Sequence, residues 1–230
     1  MNHPQHGFTL IEIAIVLVIV GLLLGGVVKG QELISNARVR NLVAQQDGVK
    51  AAFFAFQDRY HALPGDYTAA DININCGASP CLNGNGDGLI KAAATGAVAH
   101  EDILAWHHLS ASGLLTGTYT MASASTALPD ETNTPRNTYA MYMQLGYDAN
   151  WGAAGNTTDK HNLKTGSLLP VELLAEIDRK VDDGKPYSGT LQFSPYVPAS
   201  VTAPNAASCV SGSDWNVLGS ETNCGATNLL

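Results

Sequence analysis

Gly7-Phe8-Thr9-Leu10-Ile11-Glu12 opens an apolar run that reaches Val28 with Glu12 as its only charge. Phe8–Val28 is long enough, as a helix, to cross a hydrocarbon layer about 30 Å thick. A carboxylate near the centre of a bilayer costs roughly 2.5–3.5 kcal/mol on insertion scales, so a partner is expected. No Lys, Arg or His lies between Phe8 and Val28. Cutting the chain between Gly7 and Phe8 creates an α-amine one helical turn from Glu12. The same amine lies beside Glu12 of a neighbouring chain packed in stagger. The pattern therefore points to processing followed by self-assembly.

A short leader ending in Gly7, then Phe8-Thr9-Leu10-Ile11-Glu12, then an apolar helix resembles the cleavage and methylation signal of type IV pilin-like proteins. The resemblance covers about residues 1–60. It implies that a membrane prepilin peptidase cuts after Gly7 and methylates the Phe8 amine. It also implies that Glu12 pairs with the Phe8 amine of the adjacent subunit during assembly. The partners implied are other pilin copies, the peptidase, an inner-membrane assembly platform and the membrane itself. Residues 1–7 become the leader, 8–28 the transmembrane and assembly helix, 29–60 its amphipathic continuation, and 61–230 a globular head. The expected destination is an inner-membrane precursor with a periplasmic head, then an extracellular pilus or a periplasmic pseudopilus. Two features depart from common family patterns: the leader holds His3 and His6 but no Lys or Arg, and the first proline after it is Pro64. Glycines at 21, 25, 26 and 30 supply local softness instead, each weakening a helix by about 1 kcal/mol relative to Ala. A secretory signal peptide fits less well, since Val28-Lys29-Gly30-Gln31 offers no small-residue cleavage site.

The net charge of −8 is unevenly placed. Lys29–Tyr60 carries +2 and the chain from His61 onward −9, so the head is acidic and no nucleic-acid partner is expected. Four cysteines fall as Cys76/Cys81 and Cys209/Cys224, which permit three pairings. Pairing of neighbours is expected because both pairs sit in Gly/Ser/Asn-rich loops; the alternatives are free thiols or a zinc site. Disulfides would place the head in an oxidising compartment. Lys29, Arg38 and Arg40 instead flank the far side of the span, where the positive-inside rule would put the cytoplasm. The leader motif and the cysteines outweigh that signal.

Beyond Val28, Leu33, Ile34, Val39, Leu42, Val43, Val49, Phe53, Phe54 and Phe56 recur at near three-to-four spacing, so the helix is expected to run to about Arg59. His61–Asp66, with Pro64 and Gly65, ends it. Short helices are expected at Glu101–Leu109 and Pro170–Val181, the latter with a Leu173/Leu174/Ile177/Val181 stripe and Gly184 beyond its end. Strands are expected at Thr138–Leu145 and Thr190–Tyr196. The fold class is α+β: a long helical stalk packed on a small antiparallel sheet with additional short helices. That order matches a pilin-like head, and phrases such as Leu63-Pro64-Gly65-Asp66 and Trp106-His107-His108-Leu109 resemble a group of proteobacterial pilin-like proteins.

Asn83-x-Asn85-x-Asp87-Gly88-x-Ile90 resembles the first half of a calcium loop, with oxygen ligands at alternate positions and Gly at the sharp turn. The twelfth position, where a bidentate Glu belongs, is Ala94, so Glu101, Asp102, Asp66 or Asp71 would have to complete the shell. The bland reading is a Gly/Asn turn that needs no ion. His107 and His108 point about 100° apart on a helix and do not share a metal easily. No H-E-x-x-H and no nucleophile elbow occurs, so no enzyme is read here. Gly21-x-x-x-Gly25 permits close helix contact in a membrane. Three functional readings follow: a pilus subunit, a type II secretion pseudopilin, or an anchored calcium- or ligand-binding module that never polymerises.

Overall fold

A computed structural model describes residues 9–77, 80–91, 100–121, 128–156, 158–198 and 201–230. The chain divides into two compact units, Met1–Arg40 and Asn41–Leu230. Helix α1, Leu10–Tyr60, is continuous through both.

In the first unit α1 from Ile13 to Val28 is apolar on every side, and Leu10 through Val28 lie exposed. A helix of that length and composition is able to cross a membrane.

The second unit is an α+β fold. Its part of α1 presents Leu42, Val49, Ala52, Phe53 and Phe56 at three-to-four spacing, all buried. Val49, Ala52, Phe53 and Phe56 pack with Leu145 and Leu163 of the sheet and with Ala105, Trp106 and Leu109 of helix α3, Glu101–Ala111. Between α1 and α3 lies the short helix α2, Ala70–Asn73. Strands β1, Gln144–Asp148, and β2, Lys160–Lys164, form an antiparallel pair. Helix α4, Val171–Val181, follows, then β3, Leu191–Phe193. The tail contains α5, Ala206–Cys209, the two-residue strands β4, Val210–Ser211, and β5, Asp214–Trp215, and finally β6, Ala226–Leu229. Among the described residues the main sheet has the order β1-β2-β6-β3 and is antiparallel throughout.

Several expectations shift. The strand placed at Thr138–Leu145 begins at Gln144, and only an isolated Arg136–Tyr142 bridge precedes it. Asn137 explains the delay: its side chain accepts from the Tyr139 and Met141 amides and folds the segment into a turn. The strand at Thr190–Tyr196 shrinks to Leu191–Phe193. On α4, Leu173, Leu174 and Ile177 are buried, but Val181 is exposed and Asp178 takes the inward position. Helix α3 is buried on all sides of Glu101–Leu109 rather than along one stripe.

The face of the sheet away from α1 carries a polar layer. Lys164 is about 1% exposed, with its ammonium 2.5 Å from Asp148 Oδ2 and 2.8 Å from Asn162 Oδ1. Burial pulls its pKa down, and Asp148 opposes that shift.

Candidate functional site

Gly7 and Phe8 lie outside the described residues. Thr9 and Glu12 are described, and they form a reciprocal cap at the start of α1. The Glu12 amide donates to Thr9 Oγ1 at 3.3 Å, while Thr9 N and Thr9 Oγ1 each donate to Glu12 Oε2 at 2.8 Å. This is the S/T-x-x-E capping box, in which two orphan amides of a helix N-terminus are satisfied by side chains. Sequence reasoning looked for a charge partner and passed over the spacing Thr9-Leu10-Ile11-Glu12, which was legible. The Glu12 carboxylate therefore already accepts two hydrogen bonds within its own chain, in a segment otherwise lined by Ile13, Ile15 and Val16. Gly21 and Gly25 have open space where a Cβ would stand.

The second constellation lies where three segments meet. Asp66 Oδ1 accepts from the Gly86 and Asp87 amides at 2.6 and 3.1 Å, and Oδ2 accepts from Gly88 at 2.9 Å. Glu101, at the first turn of α3, accepts from the Asn85 and Lys91 amides at 3.1 and 3.2 Å. Ligand oxygens of Asp66, Asp87 and Glu101 lie within 4.8 Å of one another. Two glycines allow this convergence. A Cβ on Gly65 would meet the Glu101 carbonyl at 2.3 Å, and one on Gly84 would meet the Asp66 backbone at 2.3 Å. Burial raises the pKa of Asp66, and burial pushes Glu101 up to about 6 with Asp66 and Asp87 adding like-charge repulsion. Asp66 also lines a cleft of about 580 Å³ bounded by Gln57, His61, Thr68 and His161.

The expected ligand set is redistributed. Asp87 joins the cluster, and Asn85 caps its rim by accepting from the Asp87 amide at 2.8 Å. Asn83 does not take part: its amide group is engaged with Asp71 at 2.9 and 2.8 Å. Asp66 and Glu101 come in from the flanks, while Asp71 and Asp102 go elsewhere. Asp102 accepts from Gln144 Nε2 at 3.0 Å.

The adjacent histidines separate completely. His108 Nδ1 accepts from the Gly65 amide at 3.0 Å, and Nε2 donates to the Leu82 carbonyl at 2.8 Å. It thereby ties together the two loops that carry Asp66 and Asn85. Burial pushes its pKa down to about 4, so it clamps as a neutral imidazole. His107 faces the Cys76–Cys81 disulfide instead. Both cysteine pairs join neighbours, with Cα separations of 5.3 Å for Cys76–Cys81 and 5.8 Å for Cys209–Cys224.

Residues 2–28 match the family model of the prokaryotic N-terminal methylation motif. The chain carries the N-terminal signal of type IV pilins and pseudopilins. The matched stretch ends where the apolar run ends. No curated protein and no solved structure matches the chain. A pilin-type motif implies polymer assembly and membrane association, and families that carry it are structural subunits.

Proposed function

We propose that this chain is a structural subunit of a type IV pilus-like filament. In this reading prepilin peptidase cuts between Gly7 and Phe8, the Phe8 amine is methylated, and subunits join through α1. The observation that carries the reading is a methylation motif on a helix whose apolar side chains from Leu10 to Val28 are exposed all round. Exposed apolar surface on that scale needs lipid first and neighbouring helices later. Methylation of the amine keeps its positive charge. When neighbouring helices pack in stagger, that amine meets Glu12, whose carboxylate is preoriented by Thr9. Attraction in a low-dielectric surround fixes the axial register. The intact mass of the mature protein tests the processing step. A mass beginning at N-methyl-Phe8 is expected; a chain retaining Met1–Gly7 would instead indicate an anchored module that does not polymerise. Surface filaments released by shearing support a pilus, whereas loss of protein export on deletion supports a type II secretion pseudopilus.

A second proposal concerns calcium. Asp66, Asp87 and Glu101, with the amide oxygen of Asn85, form a hard-oxygen set of the kind that takes calcium. The sequence pattern Asn85-x-Asp87-Gly88-x-Ile90 supports this, as does the arrival of a Glu, from α3, in the role that Ala94 leaves empty. Titrating the full-length protein in detergent with calcium is expected to give heat and raise the melting temperature. Glu101→Gln is expected to abolish both responses, and no response from the wild type at millimolar calcium would end the proposal. Because burial pushes the Glu101 carboxyl up to about 6, protons compete with the ion and affinity is expected to fall as pH drops below 6.

A further inference from the structure

The two disulfides stand in opposite surroundings. Cys209 and Cys224 are both fully buried. Cys81 is also buried, within the core cluster that holds Ile74 and Ile90, but Cys76 is only half-buried. Cys76 lines a cavity of about 240 Å³ together with Asn75, His107, Ser110, Thr118 and Tyr119. In that cavity His107 Nε2 lies 3.0 Å from Cys76 Sγ, and Nδ1 lies 2.5 Å from the Tyr119 carbonyl oxygen.

The second contact decides the tautomer of the first. A carbonyl only accepts, so Nδ1 carries the proton and donates it to Tyr119. In the neutral ring, Nε2 is then a lone pair aimed at Cys76 Sγ. A disulfide sulfur has no proton to offer that lone pair, whereas a Cys76 thiol does. A polar atom left without its hydrogen bond in one state and satisfied in another favours the second state. The site is therefore matched to the dithiol form. Proton transfer from Cys76 to Nε2 would further give a thiolate beside an imidazolium, the pairing that lowers cysteine pKa values.

We propose that Cys76–Cys81 is an exchange-active disulfide that reacts with a small dithiol, while Cys209–Cys224 is structural. A thiolate of the dithiol enters the cavity and attacks Cys76 Sγ. The Cys76–Cys81 bond breaks, a mixed disulfide forms, and Cys81 leaves as a thiolate that takes a proton from solvent. The second thiol of the reagent, losing its proton, attacks the reagent's own sulfur in the mixed disulfide. Cys76 departs as a thiolate, and His107, having taken up a proton, stabilises it through Nε2–H. The dithiol is oxidised to a cyclic disulfide, and the protein gains two thiols. The leaving-group step is the one His107 accelerates, since thiols of lower pKa leave faster.

The test uses the full-length protein in detergent, equilibrated with graded dithiothreitol, quenched by alkylation and mapped by peptide mass spectrometry. Cys76 and Cys81 are expected to open at dithiothreitol concentrations at least about tenfold below those needed for Cys209 and Cys224. In the opened protein Cys76 is expected to alkylate faster than Cys81 at neutral pH. In His107→Phe, which keeps a ring in the cavity, Cys76 alkylation is expected to slow by about tenfold or more. Opening of both disulfides together, or of Cys209–Cys224 first, in the wild type would overturn the proposal without any variant. An alkylation rate unchanged by His107→Phe would overturn the role of the imidazole.

Discussion

Helix α1 contains two apolar stretches that differ in where their side chains end. From Leu10 to Val28 they are exposed, whereas from Leu42 to Phe56 one face is buried and the other, with Ala44, Asp47, Ala51 and Phe54, is exposed. Periodicity is the cause. The first stretch is apolar at every position but Glu12, so no single face could be covered by a folded head; the second repeats at three-to-four spacing and offers one stripe. The difference teaches that one helix serves two kinds of association. Its C-terminal residues contribute to folding within the chain, and its N-terminal residues are left for lipid and other chains.

Paired substitutions break this comparison if it is wrong. Phe56→Ala is expected to destabilise the head by about 3–5 kcal/mol, because a fully buried ring leaves a cavity. Leu17→Ala, on the exposed stretch, is expected to leave the head's melting temperature unchanged. Thermal melts of both variants in one detergent check the pair, and equal losses would contradict the division.

A smaller effect comes from Asp178, which accepts from Trp215 Nε1 at 2.7 Å inside the head. Burial pushes its pKa up to about 6 from an ordinary value near 3.8, so protonation favours the folded state. Its stability contribution is full below pH 3.8 and is lost as pH rises through 6. Asp178→Asn keeps an acceptor for Trp215 and removes the buried charge. It is expected to stabilise the head at pH 7 by about 1–2 kcal/mol relative to wild type and to give no gain near pH 4. Melting curves at the two pH values provide the check. The smallest effect belongs to Thr9→Ala. Loss of an N-cap side chain costs about 1 kcal/mol of local helix stability, visible as faster amide exchange at residues 10–13 with the head unaffected.

How much was legible follows from the range of each interaction. The apolar run, the helix it continues into, and the α4 stripe are local patterns, and they were read with small errors at their ends. The capping box was local too and was missed because Glu12 was considered only as a charge. The calcium-type cluster was half legible. Asn85 and Asp87 sit in a recognisable spacing, but Asp66 and Glu101 arrive through Gly65, Gly84 and the His108 clamp, and nothing in spacing predicts which flanking acid turns inward. Lys164 was illegible for a related reason. A lysine alternating along β2 reads as a solvent-facing residue until Asp148 and Asn162 are seen to cover it. The strands β2 and β6 are polar in composition, so periodicity alone did not mark them.

In the proposed assembly Glu12 acts by its charge on a neighbouring subunit and only secondarily as a cap. Glu12→Ala removes both roles and cannot separate them. Glu12→Gln retains a side-chain acceptor for the Thr9 amide while removing the charge, because Gln serves in a capping box as Glu does. Filament assembly by Glu12→Gln, scored by shearing and electron microscopy alongside the mass of the processed N-terminus, is the direct measurement. Normal cleavage at Gly7–Phe8 and no filaments are expected. Wild-type filament numbers from this variant would contradict that role of the charge.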